Sequence, residues 1–247
     1  DGVTSSIQTQ LDSKISAGLV SVTENSNTGY RLASANASNH GDIGDGGLDL
    51  SYQPSASTTT GSTGDYSTAM GYETTASGEN STAMGYNTTA SDYFSTAMGY
   101  YTIASGYYST AMGFQTKANY FYSTAIGSGT TASGNTSTAM GNETTASGDF
   151  STAMGNHTTA SAYFSTALGA FTIASGDNST AMGSNTTASD YSSTVIGQHN
   201  SSGSTATSAT SFSTLAPAFV IGNGVDASNK SDAFSVLFNG NTTIGGS

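Results

Sequence analysis

No cysteine occurs in the 247 residues, which excludes disulfides and thiolate metal sites together. Basic residues are nearly as scarce: Lys14, Arg31, Lys117 and Lys230 stand against 16 acidic ones, for a formal charge of −12. Nucleic-acid binding draws on a basic stripe that displaces counterions, so that class is set aside. No apolar run approaches the ~20 residues of a membrane-spanning helix, so this segment is not expected to insert into a bilayer. Charged residues make up only 8% of the chain, unlike a typical charged disordered sequence. The chain opens at Asp1 and closes in Gly-Gly-Ser, which reads as a segment of a longer or processed protein.

What is there is a period. STAMGYETTASGEN, from Ser67 to Asn80, is followed by the near-copy STAMGYNTTASDYF. The opening Ser-Thr-x-x-Gly recurs at Ser81, Ser95, Ser109, Ser123, Ser137, Ser151, Ser165, Ser179 and Ser193 without slipping a residue. A fixed period marks a solenoid and rules out an unpatterned Gly/Ser linker. Fourteen residues are too few for a helical hairpin, and the Gly and Thr in every copy favour strands. Each copy therefore predicts two short strands, Ser-Thr-Ala-Met ending at Gly71 and its equivalents, then Thr-Thr-Ala-Ser, joined by two turns. The expected fold class is all-β: a parallel β-roll, or β-solenoid, of 14-residue coils.

The copies report what each site tolerates. In the second strand the Thr74 and Ala76 columns do not vary before the tenth copy, whereas Thr75 becomes Ile103, Lys117 and Ile173. Side chains alternate faces along a strand, so Thr74 and Ala76 are expected inside and Thr75 outside. In the first strand both faces are restricted. With Met70 taken as the inward residue, the face carrying Ala69, Ala83, Ala97 and Ala111 is expected to be outside, kept small by a sister chain. One Met and a few methyls make a thin core against the backbone entropy of fourteen residues, which also predicts burial against neighbouring chains.

Outside the array, residues 1–24 predict a short helical or coiled-coil segment, capped by Thr4 or Ser5 with Ile7, Leu11 and Ile15 at helical spacing. Residues 25–62 read as an irregular connector with short strands at Gly-Tyr-Arg-Leu and Leu-Asp-Leu-Ser-Tyr. Residues 63–200 are the ten-coil array. Residues 201–247 carry Ala-Phe-Val-Ile-Gly, Ala-Phe-Ser-Val-Leu-Phe and Thr-Thr-Ile-Gly, a strand-rich cap.

The Ser-Thr-Ala-Met-Gly and Thr-Thr-Ala-Ser phrases resemble the head repeats of YadA-like trimeric autotransporter adhesins. The same wording, with Asn-Thr-Gly-Tyr-Arg-Leu upstream and Asp-Ala-Phe-Ser-Val-Leu-Phe-Asn-Gly downstream, resembles bacteriophage and bacterial tail-fibre-like proteins. The resemblance implies a side-by-side homotrimer, extracellular on a virion tail fibre or a cell surface, that attaches to a host or surface receptor.

Candidate chemistry is sparse. His40, His157 and His199 read as isolated, no carboxylate pair stands out, and no enzyme activity, metal or cofactor is expected. Asp42, Asp45 and Asp49 do not follow the spacing of an EF-hand loop. Aromatics crowd the turns between 93 and 122: Tyr93, Phe94, Tyr100, Tyr101, Tyr107, Tyr108, Phe114, Tyr120, Phe121 and Tyr122. They form the candidate receptor or glycan patch, with packing between protomers as the competing reading. An ice-binding solenoid using Thr ladders, or a passive spacer, are the alternative functions.

Overall fold

The computed structural model describes residues 18–245, which form two compact units divided in sequence between Gln115 and Thr116. In the first unit Leu19–Glu24 and Asn27–Leu32 make an antiparallel hairpin. The expected helical positions Ile7, Leu11 and Ile15 lie outside the described residues, but the end of that segment is strand.

From Asn27–Leu32 onward the pairing turns parallel. Tyr30 and Arg31 face Leu48 and Asp49, and Leu48–Tyr52 then pairs with Thr68–Tyr72 in register. Thr82–Tyr86, Thr96–Tyr100 and Thr110–Phe114 follow, each residue facing its equivalent fourteen places on. A second ladder of two-residue strands, Gly61–Ser62, Thr75–Ala76, Thr89–Ala90 and Ile103–Ala104, stacks in step. Coil geometry thus reaches back into the segment read as an irregular connector. The long strand runs through its Gly to the residue beyond, and the short one spans half its expected length.

The second unit repeats the arrangement. Its short strands run from Lys117–Ala118 to Thr187–Ala188 and its long ones from Thr124–Ser128 to Thr194–Gln198. Pro217–Asn223 then adds in parallel, with Val220 beside Val195 and Gly222 beside Gly197. Asp232–Leu237 and Thr242–Ile244 follow antiparallel, so the three apolar phrases of this region are all strands. The loop between carries no strand, and Asp190 holds it by accepting hydrogen bonds from the Thr207 and Ser208 N–H groups at 2.5 and 2.6 Å.

The interior is narrow. Ser67, Ala69, Thr74 and Ala76 of one coil, and their equivalents in the next, are all inaccessible to solvent. Thr is the largest side chain the regular coils bury completely. The inward reading of Thr74 and Ala76 agrees with this, and the first strand is inverted relative to expectation. Ala69, Ala83, Ala97 and Ala111 point into the chain's own core, while Met70, Met84 and Met98 are partly exposed and Met112 is 37% exposed. Small side chains are required on that face because the opposing strand of the same coil is so close. The Met has no room inside.

Gly explains how closely the coils approach. Gly85 has φ +129°, and a Cβ built on it would lie 2.0 Å from the Gly99 carbonyl oxygen; Gly71 and Gly99 stand in the same relation to their successors. Gly85→Ala is therefore expected to cost on the order of 3 kcal/mol, read as a lowered Tm. Asn80→Gly, at a φ of 56° that glycine adopts freely, stays within about 0.5 kcal/mol. The buried Thr88 hydroxyl has no hydrogen-bond partner. Thr88→Val keeps the shape, removes that orphan, and is expected to raise stability by about 1 kcal/mol in the same melt.

Candidate interaction surfaces

In each coil the residue after Gly leaves the long strand pointing outward. In the first unit this column reads Tyr52 (after Ser51, which takes the place of the Gly), Tyr72, Tyr86, Tyr100 and Phe114, and the in-register pairing stacks the rings. Centroids lie 5.6, 4.8, 4.9 and 5.4 Å apart, and from Tyr72 onward successive ring planes are within 14° of parallel. Because ring faces cover one another, the column presents edges and hydroxyls. Desolvation among these neighbours, with the Tyr72 and Tyr100 phenols adjacent, holds the Tyr86 phenol above its ordinary value, against a hydrogen bond with Tyr101 acting the other way.

A second column precedes the Ser of each coil: Tyr66, Asn80, Phe94 and Tyr108, all with φ between 54° and 56°. That left-handed backbone suits Asn or Gly and strains bulky residues. Tyr101 occupies the other such site, at φ 53°, where the preceding coil has Asn87. Phe94 and Tyr108 stack at 4.7 Å and 4°. Stacking of this kind is worth about 0.5–1.5 kcal/mol, comparable with the backbone strain. Tyr93 and Tyr107 flank the pair, with centroids 5.9 Å apart.

Within the second unit Tyr120 and Phe121 meet edge to face at 5.1 Å, and Tyr122 is exposed. Of the ten aromatics singled out in sequence, Tyr107 alone is half-buried rather than exposed. Further stacks were not anticipated. Phe150 lies on Phe164 at 4.8 Å, and Phe171 lies on His157, whose Nδ1 is 3.0 Å from a Glu143 carboxylate oxygen. Reading the sequence by fourteen-residue columns, rather than by crowding, finds both these pairs and Tyr72 and Tyr86, but not Tyr52, which lies twenty residues before Tyr72.

The outer face of the long strands is a separate surface. In the first unit Leu50, Met70, Met84, Met98 and Met112 stand in register beside the Thr68 column, half-buried to exposed. In the second unit Ile126, Met140, Met154, Leu168 and Met182 do the same beside Thr. Each is an apolar stripe set in hydroxyls.

A buried ionic cluster lies in the first unit. Arg31 and Asp49 occupy neighbouring rungs of the interior column that the regular coils fill with Ala. Arg31 donates to both Glu24 carboxylate oxygens at 2.9 and 3.1 Å and to the Gly41 carbonyl at 3.0 Å. Asp49 accepts from the Ser51 N–H and hydroxyl, and its second oxygen lies 2.7 Å from His40 Nδ1 and 3.5 Å from Arg31 Nε. His40 is therefore not isolated. Burial alone would raise both carboxyls. Hydrogen bonds from His40 and Ser51 outweigh it at Asp49, and bonds from Arg31 and the Ile43 N–H, with the Arg31 charge, outweigh it at Glu24, so both lie below their ordinary values. With Asp49 committed here, Asp42 accepts from Asn25 and Asp45 turns toward the Thr28 N–H. Among the described residues no cluster of three His, Asp or Glu side chains is arranged to hold a metal ion. No helix among them is long and apolar enough to cross a membrane.

Parallel coils of fourteen residues, a methyl-sized core and outward ladders define the class: a β-solenoid built from head-type repeats. The profile of the YadA head domain repeat matches residues 62–88, 76–102, 104–119, 121–144, 146–172 and 174–200, more than half of the chain. The chain belongs to the YadA head domain repeat family. A comparison with curated proteins finds no match.

The depressed carboxyls set a pH dependence. A carboxyl lowered in the folded state contributes stability that is present above its unfolded value, near 4, and is lost as pH falls through the folded one. Amide exchange at residues 30–51 is expected to accelerate as pH drops from 5 toward 3, after correction for intrinsic rates. Asp49→Asn lowers stability at pH 7 by about 3 kcal/mol and flattens that response.

Proposed function

We propose that this segment is part of an extracellular adhesive fibre, on a virion tail or a cell surface, in which three copies associate and display aromatic ladders to a host or surface receptor. The observation that carries the reading is the occupancy of the left-handed turn sites. Phe94, Tyr101 and Tyr108 sit where the backbone favours Asn or Gly, and Asn80 and Asn87 fill the same sites in neighbouring coils. Stacking offsets the strain without improving on Asn, so stability alone does not account for the rings. Attachment does, because exposed, rigid aromatics are the residues that binding surfaces favour.

The trimer is supported by the outward Met columns. Rows of partly exposed apolar side chains among Thr hydroxyls form a flat sheet face, and burying such a row against two sister copies removes a liability that a free chain carries. Membership in the YadA head repeat family supports the same assembly. The Ala columns make no contribution, since each chain buries its own.

Two variants separate the functions of the two surfaces. Met84→Lys together with Met98→Lys is expected to shift the native mass from three chains to one while the β-sheet circular dichroism persists. Phe94→Asn, Tyr101→Asn and Tyr108→Asn combined leave the trimer intact and its stability within about 1 kcal/mol of wild type, and attachment falls at least tenfold. A triple variant that dissociates instead assigns these rings to packing between protomers and overturns their role in attachment.

A further inference from the structure

The coil that starts at Leu48 is longer than the regular ones. Leu48 pairs with Thr68, twenty residues on, where the next coil needs fourteen to take Thr68 to Thr82. The connection before it, from Leu32 to Leu48, is irregular too. Between these departures from the repeat lies an open cavity of about 200 Å³, bounded by residues 32–40 on one side and 51–53 on the other.

Its lining is chemically specific. Asn36, Asn39 and Gln53 bring amides, Tyr52 an aromatic ring and Leu32 an aliphatic wall, while His40 is the one titratable group among the lining residues apart from the Tyr52 phenol. The imidazole is held from behind. Nδ1 is engaged by Asp49, which is fixed in turn by Ser51 and Arg31. Three polar or charged side chains, Asp49, Ser51 and Arg31, all almost wholly buried, thus orient one ring at the edge of the cavity. Such a shell of supporting contacts is what a binding site uses to fix a contacting group.

Charge narrows the ligand. No Lys or Arg lines the cavity. The nearby guanidinium is taken up by Glu24 and the Gly41 carbonyl, and the chain carries −12 overall, so an anion has nothing to pair with. A cation meets no free carboxylate, since Asp49 and Glu24 are both engaged. A small neutral molecule rich in hydroxyls fits amides, a hydroxyl-bearing ring and an imidazole. The volume is below the ~300–1,000 Å³ of drug-sized sites and suits a single sugar ring. We propose that this cavity binds one neutral monosaccharide unit, the end of a glycan. Tyr52 is both a wall of the cavity and the first ring of the column through Tyr72, Tyr86, Tyr100 and Phe114, so the next sugars of the chain would meet that column. The inference rests on the attachment reading and names its ligand class.

Saturation-transfer NMR on the whole chain tests it, with galactose, glucose, mannose, fucose, N-acetylglucosamine and N-acetylgalactosamine each on the order of 10 mM, and N-acetylneuraminate as the anionic control. At least one neutral sugar is expected to receive saturation and the anion none. Ser34→Trp fills the cavity from an exposed position and is expected to weaken that signal at least tenfold with the native mass unchanged. The Phe94, Tyr101 and Tyr108 replacements leave it intact. Silence from every neutral sugar, or equal binding by Ser34→Trp, overturns the cavity proposal. If Ser34→Trp also attaches to cells as wild type does, the attachment reading survives that failure.

Discussion

Everything in this fold follows from how closely its backbones approach. A Cβ on Gly85 would stand 2.0 Å from the Gly99 carbonyl oxygen, and the two strands of a coil are near enough that Ala, Ser and Thr fill the space between them. A fourteen-residue turn cannot enclose more. Large apolar side chains are therefore expelled, and the usual relation of core to surface is reversed: methyls lie inside, while Met and rings lie outside. Cohesion within a chain comes chiefly from the parallel ladders. Within the regular coils the interior offers no room for apolar burial of any size.

That reversal marks where the sequence was legible. Strict spacing located the strands, and the Thr74–Thr75–Ala76 triplet was assigned correctly because its outer face varies, to Ile103 and Lys117, while its inner face does not. Thr68 to Gly71 offered no such contrast. Both faces are fixed there, and alternation alone cannot say which is inward. Size argues for Met inside, since Met is ordinarily buried, but the governing quantity is the width of the interior, which no single column reveals. The aromatics between 93 and 122 stand out as a crowd along the chain, whereas Tyr72 and Tyr86 emerge only down a column, and Tyr52, off the period, only in the strand register. His40 and Asp49, nine residues apart in a stretch without a period, had no aligned copies to betray them.

The turns tell a related story about tolerance. Sites at positive φ accept Asn, Glu, Thr, Tyr, Phe and His in this one chain, because their side chains leave the coil and meet the same site one rung away and other turn residues beside it. Composition there can drift without touching the ladder, provided neighbours remain compatible: Phe94 with Tyr108, Phe150 with Phe164, His157 with Phe171. A rigid, monotonous scaffold thus carries a variable outer text, and the two are nearly independent.

Monotony has its own hazard. When every coil is alike, a chain that skips one and resumes pairs almost as well as a chain that skips none, so the landscape contains many near-equal wrong answers. Asp49 removes that degeneracy in the first unit. Its carboxylate finds Arg31, His40 and Ser51 in one alignment only, and in any shifted one it would face methyls, a penalty of several kcal/mol. Asp190, one oxygen of which accepts from both the Thr207 and Ser208 amides, does the same for the second unit. The two acids act as page numbers, telling an otherwise self-similar chain where its counting starts and where it stops.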